Sequence, residues 1–225
     1  MKRIAKLLFW LAIIFLPGSA YAQSGNDDPR FNDNIGVFTM STPLNPMARY
    51  TNFGLGVDFG AGYNFTRRHA VVGEFMWNWL WATDAALDPV REALQSSDIG
   101  GHGAFVALIS NYRYELRGKT FGTYLIGGPG WYHRSAELSR AIPAGTVCIN
   151  PLSVWWGYNC TPGTTTTSAT IARSSSSAFG INGGIGFTIR VGDAPNRAYV
   201  EARYHYAPTN NVNTQFISIV FGFRY

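Results

Sequence analysis

Apolar and polar residues alternate one by one over much of the chain, and a period of two marks a β-strand whose two faces meet different surroundings. Phe53, Leu55, Val57, Phe59, Ala61, Tyr63 and Phe65 share one face of a single segment, and Gly54, Gly56, Asp58, Gly60, Gly62 and Asn64 share the other. A strand of about a dozen residues is long for a soluble sheet and suits a tilted bilayer crossing, which takes roughly 9–11 residues. The same alternation predicts strands over Val71–Trp81, with Glu74 and Asn78 on the polar face, and over Ala104–Glu115, with Asn111, Arg113 and Glu115 there. It predicts three more over Phe179–Val191, Tyr199–Tyr206 and Phe216–Tyr225, whose polar faces carry Arg190, then Glu201, Arg203 and His205, then Ser218 and Arg224. Two less regular stretches complete the set: Ile35–Ser41, and Thr120–Tyr132, where Gly127, Gly128, Pro129 and Gly130 blur the faces. The total is eight, an even number that allows a sheet to close on itself.

The connections alternate in length. Thr66–His69, Leu116–Lys119 and Gly192–Asn196 are short, whereas Thr42–Asn52, Ala82–Gly103, His133–Ser177 and Ala207–Gln215 are longer. Short turns at one end and long loops at the other describe an outer-membrane barrel with both termini on the periplasmic, short-turn side. Aromatic residues gather at both strand ends: Tyr63, Phe65, Tyr112, Tyr114, Phe223 and Tyr225 at the short-turn end; Trp77, Trp79, Trp81, Trp131, Tyr132, Tyr204 and Tyr206 at the other. Amphipathic rings settle at headgroup depth, so two belts match two membrane interfaces.

On these features the chain resembles the small eight-stranded outer-membrane proteins, the group that includes the OmpA barrel domain and OmpX. The resemblance covers nearly all of residues 31–225, and its most specific piece is the final segment, in which Ile217, Ile219, Phe221, Phe223 and Tyr225 alternate up to a terminal aromatic. It implies an all-β fold, an eight-stranded antiparallel up-and-down transmembrane β-barrel over residues 34–225, with 23–33 as an N-terminal segment. It also implies that the final segment is the sorting signal read by the outer-membrane barrel insertion machinery, and that the surroundings are outer-membrane lipid and lipopolysaccharide. The chain departs from OmpA in carrying no peptidoglycan-binding domain after Tyr225, so cell-wall anchoring is not implied.

Alternation alone does not say which face is inside. A soluble barrel would turn the Gly-rich polar face to water, leaving bare, weak strands. In a narrow membrane barrel, inward glycine instead makes room for long neighbours. The lumen is then expected to hold Asp58, Glu74, Arg113, Glu115, Arg190, Glu201, Arg203, His205 and Arg224. Charges of both signs in a narrow space must be paired and hydrogen-bonded. Eight strands leave an interior that side chains fill, so a salt-bridged plug is expected, with a narrow conduit or small-molecule site as the alternative and a wide pore excluded.

Composition adds an export signal. Lys2, Arg3 and Lys6 precede the apolar run Leu7–Leu16, and Ala20-Tyr21-Ala22 offers a small-x-small cleavage site, the three-part pattern of a Sec-type signal peptide over residues 1–22. No run of 18 apolar residues follows, so the mature chain has no transmembrane helix. The formal charge of +5 falls to +2 once the three signal cations are set aside, leaving fifteen basic against thirteen acidic residues. That gives no case for nucleic-acid binding. Cys148 and Cys160, in an exported chain, are expected to pair as a disulfide.

Candidate chemistry is sparse. The four histidines show no metal-ligand spacing, and no cofactor-binding motif is present. His133, Ser135 and Glu137 alternate on one strand face and distantly resemble the His-x-Ser of lipid A deacylases, except that Ala136 stands where that family has Asn. The longest loop holds the cysteines, the aromatics Trp155, Trp156 and Tyr158, and the runs Thr164–Thr167 and Ser174–Ser177, which read as solvated and flexible. Its exposed rings are candidates for recognition. A short helix is expected over Asp88–Gln95, capped by Asp88 with Pro89 at its first position. The reading is a monomeric, non-enzymatic outer-membrane protein acting through its outer loops, with lumen conduction and lipid A modification as alternatives.

Overall fold

The computed structural model describes residues 30–143, 147–148, 160–161, 166–192 and 196–225. Its strands are β1 (Phe31–Pro43), β2 (Thr51–Asn64), β3 (His69–Ala82), β4 (Ile99–Arg117), β5 (Phe121–Pro143), β6 (Val147–Cys148), β7 (Cys160–Thr161), β8 (Thr166–Arg190), β9 (Arg197–Ala207) and β10 (Thr214–Arg224). All but β6 and β7 close into a barrel in which each strand pairs antiparallel with its chain neighbours and β1 closes onto β10. This is the eight-stranded up-and-down barrel that the alternation predicts. Its first strand begins at Phe31, so Phe31, Asn32 and Asp33 are barrel residues rather than a leading segment.

The barrel is apolar outside and polar inside. Phe179 is 79% exposed on the outer face, while Arg203 on the inner face is 2% exposed. Alternation is strict along β9, where Arg197, Tyr199, Glu201, Arg203, His205 and Ala207 are all buried. The irregular reading of β1 has a local cause. A bulge shifts its register between Gly36 and Phe38 against β10, so Val37 and Phe38 both face outward. A bulge inserts one unpaired residue, which breaks a period of two without ending the strand.

The largest departure from the sequence reading lies in the third long connection. The ladder between β5 and β8 runs unbroken past the barrel rim, from Phe121 opposite Ile189 to Pro143 opposite Thr166, with one register shift. His133–Pro143 and Thr166–Ser177 are therefore paired strand, not loop. The β4 strand joins them as far as Ile99 opposite Arg140. A three-stranded sheet rises above the rim, and β9 pairs with β8 only from Ile181 downward, so above it no described strand pairs with that edge of β8. Thr166–Gly180 spans roughly 50 Å at about 3.3 Å per residue. Above the rim the regular apolar alternation of the barrel strands is not kept, and one face of the sheet is partly covered by Leu87 and Ala82 beside Gly101 and Leu138. Cross-strand polar pairs hold it instead: Thr170 donates to Glu137, and His133 Nδ1 lies 2.7 Å from Ser177 Oγ.

The helix in the second long connection, α1, covers Asp84–Leu94 and starts four residues before the expected cap. Thr83 is the residue before it, and Pro89 sits inside rather than at its first turn. Arg91 compensates by binding both Asp84 and Asp88 at 3.0 Å. Those two hydrogen bonds hold the Arg91 guanidinium more firmly protonated than usual. In the first long connection a 3-10 turn at Met47–Arg49 folds Met47 into the barrel mouth, where it is buried.

Candidate functional site

The lumen is filled in three tiers. The outermost is aromatic. Phe105 stacks on Tyr132 with centroids 5.8 Å apart and meets Phe216 edge-on at 4.7 Å; Met47, Met76, Leu80 and Ile109 pack around them. His205 stacks on Phe216 at 4.5 Å, with its Nδ1 3.2 Å from the Tyr132 hydroxyl and its Nε2 3.0 Å from Ser218 Oγ. Tyr132 thus belongs to the plug, not to the outer aromatic belt. Adjacent residues on a continuing strand face opposite ways, so Trp131 and Tyr132 could not share the belt.

The middle tier centres on Glu74. Its carboxylate accepts from Arg203 Nη1 at 2.6 Å and Nη2 at 3.2 Å, from Asn34 Nδ2 at 3.2 Å, and from Asn111. Arg203 also donates to Glu201. Asn182 donates to Asn111 Oδ1 and to the Gly128 carbonyl, both at 2.9 Å. Asp58 is buried on β2, and its Oδ2 has no hydrogen-bond partner.

The third tier, at the short-turn end, is built on Glu115. Arg224 donates to it at 3.3 Å, Arg117 at 3.2 Å, and Arg113 Nε lies 3.7 Å away. Arg113 also donates to Asn32 and Asn64. The Arg224 guanidinium lies over the rings of Tyr124 and Tyr199, at 4.6 and 5.3 Å from their centroids. The Tyr124 ring occupies the place where a Cβ on Gly186 would stand. This is the inward glycine giving way to a large neighbour that the sequence implies.

Of the predicted lumen residues, Asp58, Glu74, Arg113, Glu115, Glu201, Arg203, His205 and Arg224 are buried together in this column. Arg190 is not: at the end of β8 it is exposed on the rim. The buried place is taken by Arg197, whose Nη1 donates to Thr188 Oγ1 at 3.2 Å and Nη2 to the Gly118 carbonyl at 2.8 Å. Arg197 shares the parity of Glu201 and Arg203, a signal lost by starting that strand at Tyr199. Among the described residues, four carboxylates (Asp58, Glu74, Glu115, Glu201) and four guanidiniums (Arg113, Arg197, Arg203, Arg224) are buried in the column, and their formal charges cancel.

The His133–Ser135–Glu137 set does not assemble. His133 binds Ser177, the Ser135 hydroxyl points to the Ala104 carbonyl at 3.5 Å, and Glu137 accepts from Thr170. No group of three metal-ligating side chains occurs among the described residues. Trp155, Trp156 and Tyr158 lie outside the described residues. Cys148 and Cys160 face each other across the β6–β7 ladder. In β10, Ile217, Phe221 and Phe223 are exposed on the outer face, with Ile219 half-buried beside them, and Tyr225 just past the strand is exposed too.

No family model matches the chain. No curated protein matches it either. Among solved structures it is similar to Ail, the attachment invasion locus protein of Yersinia pestis, at 15% identity over 87% of this chain and 97% of that one, with a TM-score of 0.47. It is also similar to Neisserial surface protein A, at 11% identity over 87% and 96% with a TM-score of 0.42. A third is a major outer membrane protein from Thermus thermophilus, at 11% identity over 87% and 98% with a TM-score of 0.44. The fold of this chain rests on its own closed strand order, not on these likenesses.

Proposed function

We propose that the protein is a non-enzymatic, monomeric β-barrel of the bacterial outer membrane whose lumen is a structural plug and whose interactions are made by its long-loop end. In this reading residues 1–22 direct export through the Sec pathway, and the insertion machinery reads the segment from Ile217 to Tyr225. The barrel sits among outer-membrane lipid and lipopolysaccharide, and the short-turn end faces the periplasm. The carrying observation is the inverted polarity of a closed ring: large apolar side chains exposed outside, ion pairs buried inside. That distribution has no stable place in water, where an exposed apolar band of this size drives association, and suits a hydrocarbon layer.

The filled lumen argues for a plug over a conduit. Tiers of aromatic and paired charged side chains cross it at successive depths. Among the described residues, the raised sheet of β4, β5 and β8 projects past the rim at the long-loop end, which makes it a candidate for contact with partners. The native protein is expected to fractionate with outer membranes, to migrate differently on SDS gels before and after boiling, and to give planar bilayers no conductance above background. Recovery as a soluble periplasmic protein with unchanged mobility would overturn the reading.

We also propose that Cys148 and Cys160 form a disulfide, supported by their opposed backbone positions. A bridge closing so short a loop stabilises it by roughly 3 kcal/mol. Non-reducing peptide mapping is expected to recover the two cysteine peptides linked. Reduction is expected to speed proteolysis between them and leave the boiling-dependent gel shift unchanged. Two freely alkylated thiols in protein isolated without reductant would refute the pairing.

A further inference from the structure

The buried charges cancel over the column but not within its tiers. Arg113, Arg197 and Arg224 gather at the short-turn end, where Glu115 is the buried carboxylate. The middle tier holds three carboxylates, Asp58, Glu74 and Glu201, and one guanidinium, Arg203, which is bound to Glu74 and Glu201. Asp58 is 2% exposed, and its Oδ2 has no hydrogen-bond partner. A carboxylate taken out of water without a partner is costly, so this oxygen calls for a cation.

Two neutral oxygens on the neighbouring strand share that condition. Asn34 Oδ1 and Thr39 Oγ1 are buried and have no hydrogen-bond partner, on side chains from residues 3% and 0% exposed. In the β1–β2 register Gly36 stands opposite Asp58, with Asn34 and Thr39 on either side of it. The β1 bulge is what brings Thr39 there. Val37 has no register partner on β2 or β10, and unbroken alternation from Asn34 and Gly36 would turn Thr39 outward. A Cβ on Gly36 would stand 2.8 Å from the Asp58 Cβ, so glycine admits the carboxylate at this place. Diagonal neighbours on paired strands lie about 7–8 Å apart, and inward side chains from both sides can converge between them. Asn78 lies across Gly56 from Thr39, and its Nδ2 is buried without a partner. Its Oδ1 meets Ser41 Oγ at 3.1 Å, and a hydroxyl either donates or accepts, so the amide can present its oxygen to the same niche.

We propose that Asp58, Asn34 and Thr39 form a binding site for one alkali cation inside the plug, with Asn78 supplying a further oxygen. Hard cations take oxygen ligands, and this set offers only oxygen. One uncommitted carboxylate offsets one positive charge, which suits a monovalent ion over a dication. The imidazole and thiolate ligands that favour transition metals are missing from the set. The bound ion gives Asp58 the counter-charge that Arg203 does not supply and joins β1 to β2 at the bulge. This site rests on the reading of the lumen as a plug and goes beyond it by giving the plug a ligand.

The test uses the full mature protein refolded into lipid vesicles and unfolded by urea at constant ionic strength, with choline chloride replaced stepwise by sodium chloride or potassium chloride. A ligand that binds only the folded state raises the folded-to-unfolded ratio in proportion to its concentration once above its dissociation constant. At least one of the two ions is therefore expected to raise that ratio by up to about tenfold for each tenfold step in concentration. D58N and T39V, made separately so that one folding failure does not end the test, are each expected to weaken or abolish the dependence. D88N, on the exposed helix at the other end, is expected to keep it. A native ratio indifferent to both ions, or a dependence unchanged in the niche variants that fold, overturns the inference while leaving the plug intact. Conductance above background in the native protein overturns the plug reading, and this inference with it.

Discussion

Replacing Arg203 with Met is expected to destabilise the barrel by about 3–5 kcal/mol, the cost of breaking a buried ionic network from one side. Arg203 is 1% exposed at its side chain and binds Glu74 through both terminal nitrogens while also contacting Glu201. Without it, Glu74, Glu201 and nearby Asp58 share the middle of the lumen with no guanidinium among them. Arg113 and Arg224 are committed to Glu115, one tier away. Urea unfolding in lipid vesicles, followed by tryptophan fluorescence, measures the effect. R203M combined with Glu74→Gln is expected to lose less than the sum of the two single losses, by about 1–3 kcal/mol, because contacting members of one network are coupled. A loss within about 0.5 kcal/mol for R203M alone, the range of an ordinary surface substitution, would sink the account of the lumen as a charge-paired plug.

Phe105→Ala attacks the outermost tier instead. Phe105 is 2% exposed and packs on Tyr132 and Phe216, so truncation leaves a void that stacked rings refill poorly. The expected cost is about 3–5 kcal/mol, measured by the same unfolding assay. Conductance is expected to stay at background, because the Glu74–Arg203 tier and the Glu115–Arg224 tier still obstruct the path below the void. A variant that loses stability and also conducts would show that the aromatic tier alone is the barrier. The protein would then be a gated conduit rather than a plugged barrel.

Sequence alone determined the barrel strands and the polarity of their faces. A strand with one face on an apolar exterior and one in a narrow polar lumen must alternate, and that requirement is written residue by residue from Phe53 to Phe65 and from Phe216 to Tyr225. It also determined that Glu74, Glu115, Arg203 and Arg224 sit on inward faces, since the alternating positions beside them are apolar and form the outside. Three matters were left to the tertiary structure. Which charges meet depends on the stagger of strands around the ring: Arg203 and Glu74 are 129 residues apart, and nothing local pairs them. Where β5 and β8 end depends on each other, because beyond the barrel rim a ladder continues for as long as its partner does and no apolar alternation is required to mark it. Which charges leave the lumen depends on height along the barrel. Arg190 and Thr188 share a face, yet Arg190 stands at the open rim while Thr188 and its partner Arg197 stay buried. Alternation is a property of one strand and survives in one dimension; stagger, partner length and depth are relations between strands, and they exist only once the sheet has closed.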